Sequence, residues 1–182
     1  RNGILREALS STTDRIISAD PRASAIIDLL TKALPRLDGV EPGAALIADG
    51  TDLVEGTVDA IGAMRDTVLA IQGPPGTGKT YVSAKAIVAL VASGRRVAVS
   101  SNSHRAIGNL LEAVAKDAQE RGVACRIAQK VSDPADAADH PAIQVVRDNE
   151  APEIARSDVV GATSWHFARY DDASFDHLMI DE

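Results

Sequence analysis

The spacing of hydrophobic and polar positions changes partway along the chain. In the first part, Ile26, Ile27, Leu29, Leu30, Ala33 and Leu34 recur at helical intervals. Pro35 and the Asp38-Gly39 and Pro42-Gly43 pairs break that pattern, and residues 53–64 resume it as a second amphipathic helix. Residues 1–52 are therefore expected to form a helical lead-in or linker. From residue 67 onward, short continuous apolar runs alternate with helical stretches. Such a run is the mark of a strand buried on both faces, and 67–71, 97–100, 124–128, 158–162 and 177–180 all qualify. Between them, 79–92 and 103–121 read as helices, each followed by a glycine suited to a C-terminal cap, Gly94 and Gly122. The stretch 133–152 carries Pro134, Pro141 and Pro152 and predicts an irregular insertion with a short helix around 143–147. Strands alternating with helices predict an α/β fold: a parallel sheet with helices on both faces.

Composition narrows the class. Of 182 residues, 45% are hydrophobic and 25% charged, which suits a globular domain and excludes a disordered or collagen-like chain. The longest clear apolar run, 86–92, is far short of the roughly 18 residues that span a bilayer, so no membrane role is expected. The net charge of −7 argues against general adhesion to nucleic acid. Residues 73–130 nevertheless hold nine Lys/Arg against three Asp/Glu, a basic middle able to act on phosphates. Cys125 is the single cysteine, in an apolar segment, and is expected to be inert core. A reducing, cytoplasmic setting follows as the expectation. The chain opens at Arg1 without methionine and stops at Asp181-Glu182, directly after an apolar run, which reads as a piece of a longer protein.

The strongest chemical signal is Gly73-Pro74-Pro75-Gly76-Thr77-Gly78-Lys79-Thr80, which matches the phosphate-binding (Walker A) pattern G-x-x-x-x-G-K-[ST] at every fixed position. It stands between a predicted strand and a predicted helix, as the mechanism requires. Gly76 and Gly78 allow a tight turn whose N–H groups point inward around a phosphate. The following helix adds its positive dipole end. Lys79 is the candidate for the β- and γ-phosphates and Thr80 for Mg²⁺. Gln72 and Tyr81 flank the loop, and the nucleotide-binding set is 72–81. The last predicted strand ends in two carboxylates, a Walker B arrangement. Asp181 is the candidate to hold Mg²⁺, and Glu182 to orient and deprotonate the attacking water. This pair points to nucleotide hydrolysis.

Two further segments bear on the class. Strand 97–100 runs into Ser101-Asn102-Ser103-His104-Arg105, and strand 158–162 runs into Thr163-Ser164-Trp165. With the loop and the acidic pair, these resemble the first RecA-like motor domain of superfamily 1 helicases, in the Upf-like branch. The resemblance covers roughly residues 53–182. It extends to bacterial proteins that fuse a RecB-like nuclease to such a helicase, whose corresponding segment looks like Ser-Asn-Ser-His-Arg-Ala-Ile. The resemblance implies ATP and Mg²⁺ as cofactors, 5′→3′ movement on single-stranded nucleic acid with DNA favoured over RNA, and a second RecA-like domain in the same parent chain. It also raises the prospect of a fused nuclease domain. It implies nucleic-acid contacts at Ser101, Asn102, Ser103, His104, Arg105 and Thr163. Small hydroxyl and amide groups suit phosphate oxygens, and the C-terminal ends of parallel strands are where open α/β sheets place ligands. Ser103 also suits a plain helix cap. Trp165 reads more readily as a packed helix residue than as a base-stacking one. His140 and His177 have no partner pattern and read as structural or surface residues. The pattern departs from the family in one respect: no glutamine lies within 53–65, where relatives read adenine, so other nucleoside triphosphates stay open. Two rivals also stay open, an AAA+ type ATPase acting on proteins and a nucleotide-dependent switch.

Overall fold

The computed structural model describes residues 2–170 and 174–181. The chain packs as two compact units, Arg1–Val82 and Ser83–Glu182.

The first unit contains α1 (Asn2–Ile17), a 3₁₀ turn at Pro21–Ala23, α2 (Ser24–Thr31) and α3 (Leu53–Gly62). Asp52 caps α3 by accepting from the Val54 and Glu55 amides. Asp28 is buried; it accepts from the Thr67 hydroxyl at 2.7 Å and the Arg36 guanidinium at 3.0 Å. Arg36 first, then Thr67, hold its carboxyl below the usual carboxylate range. Residues 67–71 do not form the expected strand. Thr67 is anchored inward by Asp28, the following residues make no ladder, and Ile71 is 40% exposed. An apolar run of that length is compatible with a buried strand, but the pattern does not say which edge would pair with it.

α4 (Lys79–Ala92) carries the chain into the second unit, which is built on a parallel sheet flanked by helices. Its strands are β1 (Val97–Ser100), β2 (Ile127–Lys130), β3 (Ile143–Val146), β4 (Val159–Gly161) and β5 (His177–Ile180), in the order β3-β2-β4-β1-β5. All of β1 is buried, as expected of a strand covered on both faces. α5 (His104–Arg121) lies over β2, β3 and β4, while α6 (Pro152–Arg156) and α7 (Ser164–Phe167) flank β4 in sequence. Gly122 closes α5 in the left-handed conformation, as predicted. Gly161 lets α5 approach: a Cβ there would lie 2.6 Å from Ile107 and Leu111 side-chain atoms.

Two further expectations are corrected. Residues 143–147 hold β3 and no helix, because Ile143 and Val146 pair with Ile127 and Lys130 of β2. The third expected strand begins three residues later than predicted and includes Gln129, which is fully buried. Its amide is satisfied: Oε1 accepts from the Ala138 N–H at 2.7 Å, and Nε2 donates to the His104 and Asp136 carbonyls at 3.3 Å.

Candidate nucleotide and nucleic-acid site

In the first unit, the glycine-rich loop delivers its residues to the head of α4. Gly76 and Gly78 have φ of +81° and +87°, the region only glycine enters without strain. A Cβ at Gly73 would lie 2.6 Å from the Thr77 hydroxyl, so that position also requires glycine. Thr77 donates to the Pro74 carbonyl at 2.8 Å and pins the turn. Pro75, Gln72, Thr80 and Tyr81 are exposed. Helix geometry leaves the Lys79 and Thr80 N–H groups without an intrahelical acceptor. The Lys79 ammonium folds back and donates to the Gly73 carbonyl at 2.6 Å and the Pro74 carbonyl at 3.2 Å. Positive-φ glycines, a helix N-terminus and an inward lysine together fit a polyphosphate: the ammonium that now bonds carbonyls would transfer to phosphate oxygens. Among the described residues no cluster of three or more His, Cys, Asp or Glu could cage a metal.

In the second unit, the predicted contact residues gather at the C-terminal edge of the sheet. The connections leaving β1 and β4 run toward opposite ends of the strand order, so the gap between these neighbours is a topological switch point, where such sheets bind ligands. The Ala162 N–H donates to the Val99 carbonyl, and Val99 pairs with Gly161, so Ser101 and Thr163 leave the sheet at one level. Asn102, Ser103 and Arg105 are exposed there. Ser103 caps α5 through the Ala106 amide, and Thr163 precedes α7 without a side-chain capping bond. Ser101 is buried, and its hydroxyl accepts from the Ser103 N–H at 3.3 Å, so its side chain supports the turn from inside. Nδ1 of His104 is buried without a hydrogen-bond partner among the described residues. Asp181 follows β5 at the same edge, where its N–H donates to the Ser100 carbonyl at 2.9 Å. Glu182 lies outside the described residues.

Trp165 is 40% exposed, not packed in the core. Cys125 is half-buried, and burial first, then the Asp158 carboxylate, pushes its thiol up to about 11, which leaves it unreactive. The structure also contains a group that sequence reading passed over. His166, buried in α7, bonds Asn149 Oδ1 through Nδ1 and the Tyr170 hydroxyl through Nε2, each at 3.1 Å. Burial first, then Lys130 and Arg169, lower its pKa to about 4, so it is neutral at physiological pH. Nothing in the local sequence joins Asn149 to His166; only the fold of the 133–152 insertion does.

A parallel sheet flanked by helices, with a phosphate loop heading α4 and polar residues grouped at the strand ends, defines a P-loop NTPase domain of RecA-like architecture. The family model AAA_11, an AAA domain, matches residues 57–151. The chain belongs to that family, the superfamily 1 helicase-like, Upf1-type AAA domain, and is a helicase-like, ATP-dependent motor domain. Nucleotide, typically with Mg²⁺, is its cofactor. No curated protein matches the chain. None of the described helices is long and apolar enough to cross a membrane.

Proposed function

We propose that this domain hydrolyses ATP to drive 5′→3′ movement along single-stranded nucleic acid, DNA in preference to RNA, together with a second RecA-like domain. The observation that carries this reading is the grouping of Asn102, Ser103, Arg105 and Thr163 at the switch point of a sheet whose family is helicase-like. A bound nucleotide with Mg²⁺ supplies the reactive γ-phosphoryl group and the charge that neutralises it. The chain's residues do the rest. Lys79 binds the β- and γ-phosphate oxygens, and the amides of 76–80 surround them. The Thr80 hydroxyl and the Asp181 carboxylate would each serve as a ligand to Mg²⁺. The Glu182 carboxylate takes the proton of the attacking water. Asn102, Ser103 and Thr163 hold the strand by its backbone and Arg105 adds charge, while Ser101 and His104 position the turn.

Nucleic-acid stimulation of hydrolysis tests the reading. Oligo-dT should raise ATP turnover more than oligo-U, and Asn102→Ala and Thr163→Ala should lower the stimulation alike for dT and mixed-sequence strands, because backbone contacts carry no direct sequence information. Turnover indifferent to any nucleic acid would overturn the proposal and favour an ATPase acting on protein.

A further inference from the structure

The sheet edge beyond the switch point has chemistry that no motif assigns. The registers align the ends of three strands there. Lys130, the last residue of β2, pairs with Val146, the last of β3, so exposed Arg147 follows directly beside it. On the other side β2 pairs with β4, which leads through Thr163 into α7. Within and just past α7, residues four apart share a side, as the His166–Tyr170 hydrogen bond demonstrates. The same spacing puts Trp165 and Arg169 together on the outer side, where both are exposed. His166 and Tyr170 line a cleft of about 390 Å³ with Asn149, Glu150 and Arg169. Partial burial first, then Arg169 and Arg147, hold the Lys130 ammonium below its ordinary range, which agrees with the three cations sharing one rim. An exposed aromatic face interleaved with cations is the arrangement that carries single strands.

We propose that the nucleic-acid strand continues past Thr163 along this rim, stacking one base on Trp165 and giving its backbone phosphates to Arg169 and Arg147. The proposal rests on the nucleic-acid reading above. Glu150 lines the cleft, so the phosphates follow the cationic rim and do not enter it. The His166 network, bonded at both ring nitrogens, fixes α7 against the Asn149 loop and keeps the rim in shape.

Trp165 is the single tryptophan of the chain and reports directly on stacking. Titrating the protein with oligo-dT should quench its fluorescence. Trp165→Ala should weaken affinity roughly 5- to 150-fold, the range for one base–aromatic stack, and Trp165→Phe should restore part of it. Arg147→Ala and Arg169→Ala should each flatten the dependence of log affinity on log salt by up to about 0.7, one phosphate contact to a single strand. All three side chains are exposed, so unchanged melting temperatures should accompany these losses. The inference fails, with the nucleic-acid reading intact, if Asn102→Ala and Thr163→Ala weaken binding while Arg147→Ala, Arg169→Ala and Trp165→Ala bind like the wild type without a quench. Binding unchanged in both sets of variants would remove the nucleic-acid reading as well.

Discussion

Lys79 already has work within the loop, because its ammonium donates to the carbonyls of Gly73 and Pro74. Removing it therefore has two separable effects. Lys79→Ala should reduce ATP hydrolysis to background, since residues 72–81 contain no other cation. It should cost about 1.5–3 kcal/mol of stability, the range for hydrogen bonding by a charged group. Steady-state turnover and a chemical-denaturation curve on the same sample check both. Turnover near the wild-type level would show that the loop does not hold the reactive phosphates. The sequence identified this lysine by its spacing from the glycines. It carried no sign that the side chain folds onto its own loop, because that depends on where two carbonyls end up.

At the level of elements, α5 and β4 meet over Gly161. A methyl group there would sit 2.6 Å from Ile107 and Leu111, both fully buried. Burial limits where either side chain can move, so Gly161→Ala should destabilise the second unit by about 1–3 kcal/mol, the usual cost of overpacking. The urea midpoint should fall with little change in the slope of the transition. An unchanged midpoint would mean that α5 can shift on the sheet. The residue pattern identified β4 and α5 correctly because both have strong local signals: a short apolar run for one, and a cap, a periodic face and a closing glycine for the other. β3 escaped notice because a four-residue segment with Gln144 among apolar residues fits a short helix as well as an edge strand. The partner strand β2 decides between them.

For the molecule as a whole, Asp28, Asp158 and His166, whose titrations are lowered, all act in one direction on acidification below neutral pH. Asp28 and Asp158 are held below their ordinary range, the first by Arg36 and Thr67 and the second by Arg126. The stability they add is present above about pH 4 and is lost below it. His166 acts earlier. Its folded value is about 4 against an ordinary 6.5, so the unfolded chain binds the extra proton between those limits. Its contribution is therefore complete above about pH 6.5 and drains away as pH falls toward 4, by up to about 3 kcal/mol. Denaturation curves from pH 7.5 to 4 should show this early loss in the wild type and its absence in His166→Gln. A parallel pH dependence in both proteins would show that His166 is not held neutral by the fold.

Sequence alone determined the chemistry that depends on near neighbours. The phosphate loop, the caps of α5, the apolar runs of β1, β4 and β5 and the carboxylate at the end of β5 all follow from residues within a few positions of each other. Backbone turns, helix capping and hydrophobic periodicity are local properties, and short motifs encode them. The tertiary structure decided what depends on distant partners. It left 67–71 outside the ladder, because the Thr67 hydroxyl bonds Asp28 across 39 positions. It made a strand of 143–146 by pairing it with β2. It buried Gln129 by supplying three backbone partners, and it turned Trp165 outward and His166 inward from adjacent positions. Which face of a four-residue helix meets the core depends on what the rest of the chain has packed beside it. No local pattern contains that information.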